Sequence, residues 1–276
     1  MSIAGGFEKA IERGVRVGCQ TIQIFTKSNN QWAAAPISDD QATKFRTAVK
    51  ENGIHSVFAH DAYLINIGSP NPEIYEKSKK ALKMEVERAT VLGLAAVVMH
   101  PGAHMNSGEE TAIAKIAKTV SWVLDQTKGS PVKVLYESAA GQGTAIGHTF
   151  EHLKALIAQT GSSDRVGICL DTCHMFAAGY DLCTAEAYRT TMEQFDRLVG
   201  ISKIQAIHLN DSKKERGCRV DRHEHIGQGK MGLEAFRLLL NDRRLQDVPM
   251  VLETPKDDEC TEDIMNLKTL RGLIAA

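Results

Sequence analysis

Six short apolar stretches, rich in β-branched residues, each run straight into a side chain that can hold a metal ion. His60 follows Val57-Phe58-Ala59, His100 follows Val97-Val98-Met99, and Glu137 ends Val134-Leu135-Tyr136. Asp171 follows Ile168-Cys169-Leu170, His208 lies between Ile207 and Leu209, and Glu253 follows Val251-Leu252. A single histidine or acid at such a point is more often a hydrogen-bonded core residue. Six at the same point of six segments read as a ligand set. Two further segments add donors: DTCHMFAAGYD puts His174 three residues beyond Asp171, and RVDRHEH puts Asp221 and His223 one residue apart. The latter spacing turns two side chains of an extended loop to the same side. Nine nitrogen or oxygen donors are too many for one tetrahedral zinc and suit two or three ions sharing a carboxylate. Imidazole with carboxylate favours zinc, with manganese or iron able to take some positions.

Such a set converges only if the segments that carry it end on one face. Strands are predicted over 21–25, 56–59, 95–99, 133–136, 166–170, 204–209 and 250–252. Helical periodicity marks 7–17, 39–52, 75–92, 109–128, 149–160, 185–199, 233–241 and 261–274. In 75–92, Leu82, Val86 and Ala89 share one face while Lys79, Lys80, Lys83, Glu87 and Arg88 point elsewhere, as on an amphipathic surface helix. Repeated βα units of this kind predict an α/β fold, a (β/α)8 TIM barrel in which every strand opens its C-terminal end on the same mouth. Only residues 1–4 precede the loop of Gly5 and Gly6 that leads into the first helix, so the first of eight strands is expected to be truncated. A doubly wound open sheet is the alternative, but no G-x-G-x-x-G follows an early strand.

The 276 residues are 43% hydrophobic and 24% charged, which suits one large domain spanning 1–276. No apolar run approaches the roughly 18 residues of a membrane span and the N-terminus lacks a signal-peptide pattern, so a cytoplasmic protein is expected. The six cysteines are scattered and form no repeated C-x-x-C pairs, so they read as reduced thiols. The formal charge of −1 is unusual for a protein that binds nucleic acid.

The segments HDAYLINIGSP, MHPGAH, YESAAGQGTAIG, LDTCHMFAAGYD, HLNDSK and VDRHEHIGQG are similar to the signature motifs of the endonuclease IV family of abasic-site endonucleases. They span the chain from residue 3 to about residue 254. The resemblance implies three zinc ions per chain. His60, His100 and Glu137 would hold one, Asp171, His208, Glu253 and the second oxygen of Glu137 another, and His174, Asp221 and His223 the third. Their charge would reverse the sign of the whole molecule where a phosphate must sit. The implied substrate is duplex DNA with abasic sites or blocked 3′ ends. It would be cut 5′ to the lesion to leave a 3′-hydroxyl, by a water whose pKa zinc lowers to about 7 and which Glu253 orients.

Family loops that probe the duplex correspond to the segment of Asn29, Asn30, Gln31 and Trp32 and to Tyr63 and Leu64. Where relatives commonly place an arginine before the Gln-Trp pair, this chain has Asn30. A monomer is expected, since the family acts on one lesion at a time. Sugar isomerases and epimerases share the predicted fold and hold metal at the same mouth, so fold alone does not separate them. The third ligand set has no evident task in a one-metal isomerase. A non-catalytic damage binder is the other alternative, and donors that leave open positions for water argue against it.

Overall fold

Helices and strands alternate along the chain in the computed structural model, which describes residues 1–161, 164–257 and 259–275. The order is α1 (Phe7–Arg16), β1 (Thr21–Phe25), α2 (Asp39–Glu51), β2 (Ser56–His60), α3 (Pro72–Leu92), β3 (Ala96–Met99), α4 (Glu109–Gln126) and β4 (Lys133–Glu137). It continues with α5 (Phe150–Thr160), β5 (Val166–Asp171), α6 (Thr172–Ala178), α7 (Ala185–Leu198), β6 (Ile204–His208), β7 (Asp211–Ser212), β8 (His223–Glu224), α8 (Gly232–Leu240), β9 (Met250–Val251) and α9 (Thr261–Gly272).

Local sequence sets most of these boundaries. Ser38 accepts from Gln41 N while the Gln41 side chain accepts from Ser38 N, a reciprocal cap that starts α2. Asn71 caps α3 ahead of Pro72, and Gly93, left-handed at φ 74°, ends it. The strands are buried on both faces, β3 at all four positions and β5 at all six, as parallel strands covered by helices must be.

Contacts divide the chain into two compact units, Met1–Tyr136 with Ala155–Gly167 and Glu137–Lys154 with Ile168–Ala276. In the first, β1, β2, β3 and β4 pair in parallel in that order, with Phe25 level with His60 and Met99 level with Tyr136. Leu82, Val86 and Ala89 of α3 are buried together with Val97 and Val98 of β3. The fully buried Tyr136 hydroxyl lies 2.7 Å from Thr160 Oγ1, whose own proton goes to the Leu156 carbonyl at 2.7 Å, so the tyrosine donates. In the second unit β5, β6 and β9 pair in parallel, which sets Asp171 level with His208 and His208 level with Val251. There Phe150 stacks on Tyr180 at 3.8 Å and meets Phe195 edge-on.

The observed strands depart from expectation where chemistry begins: β2, β4 and β5 each extend one residue further, to include His60, Glu137 and Asp171. The segment after Asp171, where no helix was predicted, is helical, and residues 211–224 close an antiparallel hairpin of β7 and β8 that apolar patterning did not mark. Residues 1–4 form no strand, although the Met1 amine donates to the Gln23 carbonyl of β1. Arg88, assigned to the solvent face of its helix, is buried at 9% exposure. Among the described residues no helix is long and apolar enough to cross a membrane. Leu82→Ala should lower unfolding stability by about 2–5 kcal/mol and Asn71→Ala by about 1 kcal/mol, measured by denaturant titration. Equal losses from the two would contradict the assignment of Leu82 to the core.

Candidate metal centre

In the second unit four residues at or just beyond strand ends come to one point. Donor atoms of Glu137, Asp171, His208 and Glu253 all lie within 4.8 Å of one another. His208 Nδ1 stands 3.1 Å from Glu137 Oε1, 3.1 Å from Glu253 Oε2 and 3.7 Å from Asp171 Oδ2. The side chains of Glu137, Asp171 and His208 are at most 1% exposed, whereas that of Glu253 is 22% exposed. Three carboxylates gathered out of water around one imidazole repel one another and are tolerable only with a cation among them. Burial alone would lower the His208 pKa, yet Cys169 and the facing carboxylates of Glu253 and Glu137 hold it well above the ordinary value.

Asp171 has a second task. Its Oδ1 accepts from His174 N at 2.8 Å and so caps α6, which fixes His174 three residues on. His174 Nδ1 lies 2.8 Å from the Ser138 carbonyl, and since a carbonyl has no proton to give, Nδ1 carries it. That leaves Nε2, 3.2 Å from Asp221 Oδ2, as the nitrogen that can bind a metal. His223, at the start of β8, repeats the arrangement: Nδ1 faces the Glu253 carbonyl at 3.1 Å, and Nε2 lies 3.2 Å from Asp221 Oδ1 and 3.7 Å from Asp171 Oδ2. This Nε2 is buried without an aligned hydrogen bond. Two imidazole nitrogens aimed at the two oxygens of one carboxylate, with their far sides tied to backbone carbonyls, match the way metal-bound histidines are oriented. The residues therefore fit a metal ion, and zinc suits the donor types.

In the absence of metal, protons balance the charge. Burial would depress His223, but Asp171 and Asp221 overcome it and push the imidazole up to about 9. Burial would raise Asp221, but contacts with His174 and His223 hold its carboxyl far below the usual range. Cys173 also comes within 4.8 Å of Asp221 and His223. Burial and the charge of Asp171 push its thiol up to about 12, so it stays protonated near neutral pH.

The remaining two expected ligands lie in the first unit. His60 and His100 bring their rings to 5.2 Å, nearly perpendicular, and His60 Nδ1 donates to the Asp61 carbonyl at 2.8 Å, which leaves Nε2 as the nitrogen that can bind a metal. Tyr63 packs over both, 5.9 Å from His60 and 6.4 Å from His100, and is 61% exposed. Asn66 ties the loop after β2 to the loop after β3: its Oδ1 accepts from Gly68 N and Ala103 N. A Cβ on Gly102 (φ 116°) would lie 2.5 Å from that oxygen, so only glycine fits there. Asn30 and Gln31 are exposed, and Trp32 and Leu64 half-buried.

Several contributors escaped the sequence reading. Asn210 donates Nδ2 to Asp171 Oδ2 at 2.6 Å and accepts Glu253 N at 2.8 Å, linking two expected ligands. Ser138 supplies its carbonyl to His174 and its hydroxyl to Asp171 N. The wholly buried Asp211 carboxylate accepts from the main-chain N–H groups of Ser212, Gly227, Gly229 and Met231, pinning the segment that follows β8. All three sit next to expected ligands or inside the quoted motifs, but nothing in residue type separates such a brace from a surface polar group. His148 and His152 pair edge-on at 4.8 Å beside the turn after β4, and His225 meets Asn266 Nδ2 through its Nδ1. Lys213 faces Glu224, and Arg222 donates to the Asp221 carbonyl.

A family model described as xylose isomerase-like TIM barrel matches residues 11–271, and the expected (β/α)8 fold is thereby shown. A probable endonuclease 4 of Geobacter sulfurreducens is 50% identical over 274 residues, 99% of this chain and 93% of its own. The crystal structure of endonuclease IV from Thermus thermophilus superposes with a TM-score of 0.87 at 36% identity, covering 99% of this chain and 96% of that one. The D-psicose 3-epimerase of Clostridium cellulolyticum H10 superposes at 0.66 with 16% identity over 98% and 88%, a likeness of fold alone.

The raised His223 pKa gives a signed expectation for the metal-stripped protein. Its stabilising contribution is fully present below the unfolded value of 6.5 and is lost as pH rises through about 9. Thermal unfolding after chelation should therefore show Tm falling between about pH 7 and pH 9, while zinc-loaded protein stays flat and metal binding releases protons. A stripped protein whose Tm does not move would refute this protonation scheme.

Proposed function

The chain belongs to the endonuclease IV family of xylose isomerase-like TIM barrels, and from that membership we propose that it hydrolyses the phosphodiester 5′ to abasic sites in duplex DNA, leaving a 3′-hydroxyl, and also trims blocked 3′ ends. The observation that carries the chemistry is the buried cluster of Glu137, Asp171, His208 and Glu253, a donor set built to hold cations rather than to sit empty of charge. We assign zinc, three ions per chain with manganese able to take some positions, to the nine residues His60, His100, Glu137, Asp171, His174, His208, Asp221, His223 and Glu253. Bound there, zinc supplies Lewis acidity, an acidified water and positive charge against a phosphodiester.

The protein's part is to hold and aim. Asn210 keeps the Asp171 carboxylate and the Glu253 main chain in place. Backbone carbonyls keep a proton on Nδ1 of His174 and His223, so that Nε2 is always the nitrogen offered as a ligand. Glu253, more exposed than the three residues it clusters with, accepts a hydrogen bond from the attacking water and orients it along the scissile bond. Glu137, 3.1 Å from His208 Nδ1, would be the carboxylate shared between ions.

Asn30 and Gln31 on one loop and Tyr63 and Leu64 on another meet the duplex. The exposed Tyr63 ring is suited to fill space left in the stack. An abasic nucleotide has no base to unstack, so rotating it out costs least at such a site. We take the enzyme to be a cytoplasmic monomer whose residues 1–276 act as one catalytic domain. The paired imidazoles on Asp221 favour this reading over a one-metal sugar isomerase, which shares only the fold.

Purified protein of known metal content should cut a duplex bearing one abasic analogue on its 5′ side, leave a 3′-hydroxyl, contain three zinc per chain and lose activity on chelation. Glu253→Gln should lower kcat by about 10²–10⁴-fold while keeping affinity for the damaged duplex. A fully metallated wild type that binds the duplex and leaves it intact would point instead to a damage binder.

A further inference from the structure

The loop of Asn30 and Gln31 stands on buried charge. Lys27 and Glu85 form an ion pair of 3.0 Å with side chains 2% and 1% exposed. Arg88, one turn along α3 from Glu85, is buried beside them. Their remaining donors go to main-chain carbonyls along the loop. Lys27 Nζ reaches Gln31 O at 2.8 Å, while Arg88 Nη2 reaches Thr26 O at 2.6 Å and Nη1 reaches Ala35 O at 2.7 Å. Thr26 joins the network by donating its hydroxyl to Glu85 Oε2 at 2.6 Å and accepting from Arg88 Nε at 3.1 Å. The start, middle and end of the 26–35 segment are thus each held by a cation, while Ser28, Asn30 and Gln31 remain exposed.

Buried ion pairs are weak stabilisers, because desolvating the charges offsets most of their attraction, and their best-attested use is to select one conformation. Segment 26–35 has no regular secondary structure and no fully buried apolar side chain to shape it. Its carbonyls would otherwise be solvated, and the loop would have to be ordered on binding, with a loss of affinity. Arg88 alone bridges Thr26 and Ala35, a task that needs the planar fork of a guanidinium and that lysine, with a single nitrogen, does not reproduce.

We propose that Glu85, Lys27 and Arg88 are positioning residues that preform the 26–35 loop for binding damaged duplex. The proposal rests on the functional reading above, in which Asn30 and Gln31 contact DNA.

The test uses the zinc-loaded protein, the variant Arg88→Lys, and the double variant Lys27→Met/Glu85→Gln, which removes both partners of the pair with no change of net charge. Amide hydrogen exchange of residues 29–35 and affinity for a duplex with an abasic analogue and an uncleavable 5′ linkage are measured side by side. Exchange about 10-fold faster in this segment, affinity about 10-fold weaker, and KM raised more than kcat is lowered, with zinc content unchanged, are the expected results. The proposal is overturned if exchange is unchanged in both variants, if it accelerates without loss of affinity, or if affinity falls while exchange stays the same. A wild type that binds abasic and intact duplex alike overturns the recognition role together with the functional reading. That outcome is told apart from failure of the network alone by the exchange data.

Discussion

Glu137, Asp171 and Glu253 converge on His208 Nδ1 in an interior that water does not screen, and much of the second unit serves to make that concentration of charge tolerable. An isolated carboxylate in such a place would be neutralised by protonation. Here the register of β5, β6 and β9 sets Asp171 and His208 level, with Val251, two residues before Glu253, beside them. A cation is the natural resolution. Protons shared with imidazole are the substitute, which is why His174, His208 and His223 all hold protons more tightly than ordinary histidines.

The same constraint explains the polar groups around the cluster. Asp171 closes strand β5, caps α6 and accepts from Asn210, so moving it would displace His174 and Glu253 together. His60, His174 and His223 each turn Nδ1 to a backbone carbonyl. Because the carbonyls belong to strand ends and the loops that follow them, the tautomer of each imidazole is set by the backbone. A site aimed in this way needs little reorganisation when an anionic substrate arrives.

Charge is also buried where no metal is expected. Lys27, Glu85 and Arg88 direct their hydrogen bonds to the loop after β1, while the wholly buried Asp211 directs its own to the segment after β8. In both places a desolvated ion substitutes for secondary structure, giving an irregular segment one shape. Irregular segments carry function only as far as something rigid positions them.

Among the described residues, strands β1 to β6 and β9, eight of the nine helices and the placing of six ligand-type residues at or just beyond strand ends were legible in the sequence, because periods of 2 and 3.6 and an abrupt change from apolar to polar are local signals. His174, Asp221 and His223 were legible too, through spacing and the family motifs that contain them. The helix after Asp171 was not: its seven residues are too few to show a period, and it exists because a strand-end carboxylate caps it. Arg88 has the composition of a surface residue, and only the return of the loop after β1 over α3 gives its guanidinium carbonyls to bind. Asn210, Ser138 and Asp211 are likewise ordinary polar residues until the register places a ligand or a main-chain N–H against them. Residue type and order settle which side chains can bind metal and which elements carry them. Packing settles which nitrogen of each histidine faces inward and which charges are buried, since both depend on groups distant in the chain that come within hydrogen-bonding reach only when the elements fold together.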